Sequence, residues 1–227
     1  MDTQNKLNAP VAIIIAGILI AGAVLYSGKN NNQAGNNPPP EPSYALDKVR
    51  AVDNTDHLRG AANPEITVVE YSDLECPFCK VFHETMHTAL AEYSGKIAWV
   101  YRHFPIDRHP LAYKQAEATE CVAQLGGTEK YWQYVDKIFE VTPSNNGLDM
   151  SLLPKMASEL GIDEARFTEC LDSGKQTARI RADIDNALEI GAQGTPFSVV
   201  IFKNGKKAMI PGALPLSELK KILDKNL

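Results

Sequence analysis

The sequence predicts an α/β domain that carries a helical insertion and follows an N-terminal transmembrane or signal segment. Three features support this prediction. A β-branched run at 66–72 leads into apolar residues at helical spacing and then into a second strand-like run at 96–104. Residues 105–190 contain consecutive helical patterns that end near Gly or Pro, and strand-like sequence returns after them. Residues 11–26 contain no charged side chain, which is typical of a segment that enters a membrane.

The composition is that of a folded protein without a strongly basic surface. The chain has 227 residues, of which 44% are hydrophobic and 22% charged, so it is long and apolar enough to bury a core. Its net charge is −5, and residues 1–43 contribute nothing to this sum because Lys6 and Lys29 offset Asp2 and Glu41. Binding to nucleic acid depends on basic side chains, so nucleic acid is not expected among the partners.

The apolar segment VAIIIAGILIAGAVLY, residues 11–26, is interpreted as a membrane anchor or a signal peptide. Its length falls just short of the ~17 to 25 residues that span a bilayer. Ala21-Gly22-Ala23 resembles a signal-peptidase site, which leaves cleavage open as an alternative. The apolar run continues beyond Ala23, and we therefore expect a retained anchor.

The segment that follows the apolar run is rich in Asn, Gly and Pro and lacks apolar periodicity, which predicts a flexible linker. We therefore divide the chain into an anchor or signal segment at 1–26, a linker at 27–43 and a folded domain at 44–227. The helical insertion of that domain is expected at about 105–190.

The first half of the folded domain has the pattern of a strand, a helix and a second strand. ITVVEYS at 66–72 is mostly apolar and has the length of a strand. KIAWVYRHF at 96–104 is almost continuously apolar inside, which favours a strand that is covered on both faces. The residues between them repeat at helical spacing until Gly95, namely Phe78, Phe82, Met86, Ala89 and Tyr93. This order predicts a βαβ unit.

The end of the chain predicts a β-hairpin and a closing helix. FSVVIF at 197–202 is joined to KKAMIPG by Asn204-Gly205, and Asn-Gly is a strong signal for a two-residue hairpin turn. SELKKILDKNL, at 217–227, has helical character.

Cys76-Pro77-Phe78-Cys79 is a C-x-x-C, the spacing of a redox dithiol. Cys76 falls at the predicted helix start and Cys79 one turn later, while Pro77 occupies a first-turn position where its missing N–H costs nothing. The free N–H groups and the helix dipole stabilise a thiolate and should lower the pKa of Cys76 below about 8.5. Half of a metal site and a plain structural disulfide remain open as alternatives, although the chain has no second C-x-x-C.

His83-Glu84-Thr85-Met86-His87 is a literal H-E-x-x-H, the spacing of a zinc protease helix. The extended form of that motif with a third His is absent, and the same helix has to bury apolar side chains behind the dithiol. We therefore expect His83 and His87 to be solvated on the outer face of the helix, and we expect no metal.

These residues together resemble the DsbA-like thiol:disulfide oxidoreductases of the thioredoxin superfamily. The resemblance covers about residues 56–227 and rests on the order of Glu70 on a strand, the C-P-x-C at a helix start, the helical insertion and Gly194-Thr195-Pro196 before a late strand. It implies a thioredoxin fold with a helical insertion domain.

The resemblance also implies roles for individual residues. Cys76 would be the nucleophile and Cys79 the resolving thiol. Glu70 would be a buried acid that exchanges protons with Cys79, although an exposed strand residue remains an alternative. Pro196 would be a cis-proline that faces the disulfide, and Thr195 would present its backbone to an extended substrate. The expected substrate-binding residues are Pro77, Phe78, Thr195 and Pro196.

The expected function is to introduce disulfide bonds into exported proteins, without a cofactor. Reduced exported polypeptides would be the substrates, and a quinone-linked membrane protein would reoxidise the dithiol. The catalytic domain would lie on the extracytoplasmic side of the cell membrane, or be secreted or periplasmic if the N-terminal segment is cleaved. A disulfide isomerase, a reductase and a non-enzymatic binding or chaperone module with a structural disulfide remain alternatives. Phe78 stands where strongly oxidising relatives often have His, so we expect the Cys76–Cys79 redox couple to be less strongly oxidising than theirs.

The two remaining cysteines, Cys121 and Cys170, both fall in the predicted helical insertion. Their even number and shared location predict a second, structural disulfide, which some relatives of the family share. The alternative is a pair of buried thiols that act as small apolar side chains.

Overall fold

A mixed sheet of five strands lies at the centre of the described part of the chain, residues 43–227 of a computed structural model. The strand order is β1-β3-β2-β4-β5. The strands are β1 (His57–Gly60), β2 (Ile66–Ser72), β3 (Ile97–His103), β4 (Phe197–Phe202) and β5 (Lys207–Pro211). The helices are α1 (Pro77–Glu92), α2 (Ala112–Val141), α3 (Leu152–Glu159), α4 (Glu164–Ser173), α5 (Thr177–Glu189) and α6 (Leu216–Asp224).

The predicted βαβ unit is present, since β2 and β3 are parallel neighbours and α1 connects them. β4 pairs antiparallel with the other side of β2, and this register places Ser198 opposite Glu70. β4 and β5 form the predicted hairpin, in which Gly205 takes the positive φ of 81° that its turn requires. β2 is therefore the central strand. Its neighbours are β3, from the first half of the domain, and β4, from near the end of the chain.

Both faces of the sheet are buried. All seven residues of β3 are buried, as its apolar run predicted. Val68 and Trp99 belong to a core that includes side chains of α1, α2 and α6, whereas Val69 and Val100 belong to a second core that includes side chains of α5. Neighbouring residues of one strand point to opposite faces, so each strand contributes to both cores.

One element of the sheet differs from the predictions. The sequence did not indicate β1, a short strand that pairs antiparallel with β3 at the edge of the sheet. α2 consists of two helical segments that meet at a kink, because Gly127 has non-helical backbone angles. Gly127 has φ 82° and ψ 178°, a conformation that is open to glycine and unfavourable for other residues.

A disulfide bond joins Cys121 of α2 to Cys170 of α4. Both residues are buried and lie 49 positions apart in sequence. A cross-link of this span stabilises a fold by about 2 to 4 kcal/mol, because it restricts the unfolded chain. The disulfide thus holds two helices of the insertion together. Its cysteines lie far from the C-x-x-C in the sequence.

The predicted N-terminal anchor or signal segment and most of the linker lie outside the described residues. Among the helices of residues 43–227, none combines the length and the apolar character needed to cross a membrane.

Candidate active site

Cys76 and Cys79 lie at the first turn of α1, next to the end of β2. Cys76 is the N-cap residue with extended backbone, and Pro77 opens the helix. Both sulfurs are free thiols. The Cys76 residue is only 4% exposed, and Cys79 is fully buried. The loop before β4 lies against Cys76, since the carbonyl oxygen of Thr195 is 3.4 Å from its Sγ.

The two thiols differ strongly in acidity. A hydrogen bond from the Cys79 thiol, assisted by the backbone N–H groups of Cys79 and Phe78, lowers the pKa of Cys76 to about 6 against the opposing effect of burial. Burial and the negative charge of Cys76 raise the pKa of Cys79 well above its ordinary value. The first thiol is therefore the one that carries a charge at neutral pH.

Glu70 lies on β2, directly behind the dithiol, and is fully buried. Its Oε2 accepts a hydrogen bond of 2.9 Å from Nε1 of Trp99, while its Oε1 has no partner among the described residues. Burial raises the pKa of Glu70 to about 7, and the charge of Cys76 adds to this rise. The structure thus places Glu70 inside the domain, not on an exposed strand edge, with a carboxyl group whose pKa lies near neutral pH.

The loop that precedes β4 faces the helix start. The Thr195-Pro196 peptide bond is cis, and the carbonyl oxygen of Thr195 lies 3.4 Å from Sγ of Cys76. A cleft of about 240 Å³ opens beside them. Pro77 and Phe78 line this cleft together with Thr195, and Phe78 is 65% exposed. Pro196 instead lines a neighbouring cleft together with Tyr44 and Pro211.

Sequence reasoning missed two buried acids beside the dithiol. The Asp73 carboxylate accepts hydrogen bonds from the N–H of Ile106 at 2.9 Å and from His109 at 3.0 Å, while the Asp73 N–H donates to Sγ of Cys79 at 3.4 Å. Burial raises the pKa of Asp73. An acid three residues before the first cysteine was the available signal, but acids in turns usually face solvent.

Glu75, immediately before Cys76, connects the dithiol to the helical insertion. Its fully buried carboxylate accepts hydrogen bonds from the N–H of Gly147 at 3.1 Å and from the side chain of Gln115. Its carbonyl oxygen accepts a hydrogen bond of 2.8 Å from the N–H of Asn145. Asn145 also lines the cleft beside Cys76, so the insertion contributes directly to the surroundings of the thiol.

The H-E-x-x-H residues do not form the solvated face that we expected. His83 is 2% exposed, and its Nε2 lies 2.8 Å from Oδ1 of Asp136 on α2. His87 is partly exposed and lies 3.0 Å from the same oxygen, whereas Glu84 is exposed. The prediction was wrong because the sequence could not show that α2 packs against this face of α1.

Comparisons with known proteins agree with this geometry. A family model described as Thioredoxin matches residues 52–225. The structure of DsbA2 from Pseudomonas aeruginosa is 28% identical in sequence, with a TM-score of 0.66, over 78% of this chain and 96% of that one. Oxidised BdbD from Bacillus subtilis is 22% identical, with a TM-score of 0.64, over 81% of this chain and 95% of that one. The latter likeness supports the fold alone.

Curated relatives include much longer proteins. Na(+)/H(+) antiporter NhaA 1 of Mycolicibacterium gilvum is 32% identical over 173 residues, which are 74% of this chain and 26% of that protein. NhaA 3 of Salinispora tropica is 33% identical over 168 residues, or 71% of this chain and 24% of that protein. This chain spans about a quarter of the length of these relatives. The family match covers most of the chain, and the chain therefore belongs to the thioredoxin family, in which it is DsbA-like.

Proposed function

We propose that this DsbA-like thiol:disulfide oxidoreductase introduces disulfide bonds into exported proteins through Cys76 and Cys79. The observation that carries the proposal is the position of Cys76, which caps α1 and faces the carbonyl oxygen of Thr195 at 3.4 Å. The helix start favours a thiolate, and the backbone opposite it can pair with an extended polypeptide. Cys76 therefore combines a stabilised thiolate with a neighbouring backbone that can bind a protein substrate.

The reaction begins with the Cys76–Cys79 disulfide. A substrate thiolate attacks Sγ of Cys76, a mixed disulfide forms, and the electron pair of the broken bond leaves on Cys79. A second substrate thiolate then attacks the substrate sulfur of the mixed disulfide and releases Cys76 as a thiolate. The substrate loses two electrons and gains a disulfide, and the protein is left as a dithiol.

Glu70 supports this cycle as the proton carrier of Cys79. A thiolate on the fully buried Cys79 is unfavourable, because burial raises the pKa of that thiol. The pKa of Glu70 is about 7, so its carboxyl group can donate a proton to Cys79 when the disulfide opens and accept it when the disulfide forms again. Burial of both groups keeps this transfer inside the domain.

The acidity of Cys76 supports an oxidising direction. A thiol that is easily ionised is a good leaving group and stabilises the dithiol form, which makes the disulfide the stronger oxidant. The hydrogen bond from Cys79 lowers the pKa of Cys76 to about 6, below that of an ordinary thiol. The side chain of Phe78 offers no hydrogen bond to the thiolate, which is consistent with an oxidant of intermediate strength.

The proposal extends to location and partners. The Cys121–Cys170 disulfide supports an oxidising compartment, and the apolar segment at 11–26 supports export or anchoring with the domain outside the cytoplasm. Regeneration of the disulfide requires an acceptor for two electrons, for which we propose a quinone-linked membrane protein. Cys76 and Cys79 perform the exchange without a cofactor.

Equilibration of the full-length protein with glutathione tests the oxidising direction. We expect the Cys76–Cys79 couple to have a reduction potential above about −220 mV, because the low pKa of Cys76 stabilises its dithiol form. Alkylation of free thiols followed by mass measurement gives the reduced fraction, and the Cys76→Ala/Cys79→Ala variant should show no transition. A potential below this value would favour a reductase.

Covalent trapping tests the roles of the two sulfurs and the class of substrate. Cys79→Ala should accumulate mixed disulfides with exported proteins, formed when the Cys76 thiolate attacks a disulfide of the substrate, because Cys79, the neighbouring thiol that would displace the substrate from Cys76, is missing. These adducts should disappear with dithiothreitol and be detected by mass spectrometry of the captured proteins. Cys76→Ala is the matched control and should capture few. Equal capture by the two variants would rule out the assigned order of attack.

Replacement of Glu70 tests the proton transfer. Glu70→Gln retains an oxygen that can accept the hydrogen bond of Trp99 but cannot exchange protons, so release of a mixed disulfide with a cysteine peptide at pH 7 should slow by at least about tenfold. Rapid acid quenching follows the reaction. Glu65→Gln, an exposed acid just before the same strand, is the control. An unchanged rate in Glu70→Gln would show that another group supplies the proton.

A further inference from the structure

We propose that His109 is a catalytic base of the exchange, which accepts the proton of a substrate thiol as that thiol attacks Cys76. The inference rests on the function proposed above and assigns the residue that activates the substrate. His109 lies in the loop between β3 and α2 and is only 4% exposed. It lines the cleft of about 240 Å³ that also contains Cys76 and Thr195. The imidazole therefore borders the space that a substrate cysteine has to enter.

Attack on the Cys76–Cys79 disulfide requires a thiolate, and a free substrate thiol is mostly protonated at neutral pH. A thiol with a pKa of about 8.5 is only about 3% ionised at pH 7. A base that accepts its proton within the complex can therefore raise the rate of attack by up to about 30-fold. Glu70 is not placed for this role, because it is fully buried behind the dithiol.

The walls of the cleft leave few groups that can act as this base. Cys76 lines the cleft and Cys79 does not, so a substrate sulfur approaches the disulfide from this side. Arg108 also lines the cleft, but its guanidinium stays protonated and has no lone pair to offer. Among the described residues that line the cleft, His109 is the only one besides Cys76 whose side chain can serve as a base.

Asp73 determines which nitrogen of His109 is available. Its Oδ2 lies 3.0 Å from Nδ1 of His109 and accepts the N–H of Ile106 at 2.9 Å, while its Oδ1 accepts the N–H of Glu75 at 2.7 Å. Backbone N–H groups only donate, so the Asp73 carboxylate is an acceptor and Nδ1 carries the proton. Nε2 has no hydrogen-bond partner within residues 43–227, and its lone pair is that of a base. The buried carboxylate also stabilises the positive charge that the imidazole acquires.

Protons and electrons balance in the resulting step. The substrate S–H gives its proton to Nε2 of His109, and its sulfur forms a bond to Sγ of Cys76. The Cys76–Cys79 bond breaks, and its electron pair leaves on Cys79, which takes the proton of Glu70. The imidazolium then gives its proton to water through the cleft, whose lining includes the exposed Arg108. His109 thus serves the attacking sulfur, and Glu70 serves the leaving one.

Two peptides of identical sequence, one with a single cysteine and one with selenocysteine in its place, test the role of His109. Each reduces the oxidised full-length protein at pH 7 without oxygen, and rapid acid quenching with alkylation follows the release of the Cys76 thiol. His109→Gln retains an N–H that can donate to Asp73 but is no base, so the cysteine peptide should react about tenfold more slowly. The selenol is already ionised at pH 7 and needs no base, so its rate should change by less than about twofold.

The selenol also separates catalysis from structure, because a distorted cleft would slow both peptides alike. His109→Asn, a shorter side chain that also carries an N–H, should give the same selective loss. Asp107→Asn alters an exposed side chain of the same loop and should keep both rates.

Three outcomes would contradict the account in different ways. Equal slowing of the two peptides in both His109 variants would assign the imidazole a structural role and overturn the inference. An unchanged rate with the cysteine peptide would overturn it as well, because the substrate would then ionise without His109. Failure of both peptides to reduce the natural chain would instead contradict the proposed function itself.

Discussion

The chemistry of this domain depends on how the fold stabilises a negative charge on Cys76. Cys76 is the N-cap residue of α1, where the Cys79 thiol and the N–H groups of the first turn stabilise its negative charge. Its low exposure opposes ionisation, so the hydrogen bonds and the orientation of the helix have to outweigh the cost of burial. The same burial keeps Cys79 protonated. Cys76 is therefore ionised while Cys79 stays protonated, and this difference fixes which thiol of the C-x-x-C reacts first.

Other parts of the fold place side chains and backbone against this first turn of α1. β2 places Glu70 behind the sulfurs, where burial, and to a smaller extent the charge of Cys76, raise the pKa of its carboxyl group to about 7. The loop before β4 brings Thr195 opposite Cys76 from a distant part of the chain. The insertion reaches the same turn through the hydrogen bond from the N–H of Gly147 to the carboxylate of Glu75. Three separate parts of the chain thus converge on one helix start.

The sequence predicted the elements whose signals are local. The run at 66–72, the C-P-x-C and Asn204-Gly205 each carry their own periodicity or turn chemistry, and the structure has the corresponding strand, helix start and hairpin. β1 was not predicted, because this short edge strand has no apolar run. The sequence did not predict the burial of His83 or the contacts of Asp73 and Glu75 for a different reason. Each depends on the tertiary packing of the 105–190 segment against α1, which sequence spacing does not encode.

The pH profile of iodoacetamide alkylation of the reduced protein tests the stabilised thiolate most directly. Only the thiolate reacts, so the rate at Cys76 should rise with pH through a midpoint near 6, the folded-state pKa, well below the about 8.5 of a free thiol. Cys79→Ala removes the strongest hydrogen bond to that thiolate and should move the midpoint upward. A midpoint near that of a free thiol in the natural chain would contradict the account, because Cys76 would then carry no stabilised charge.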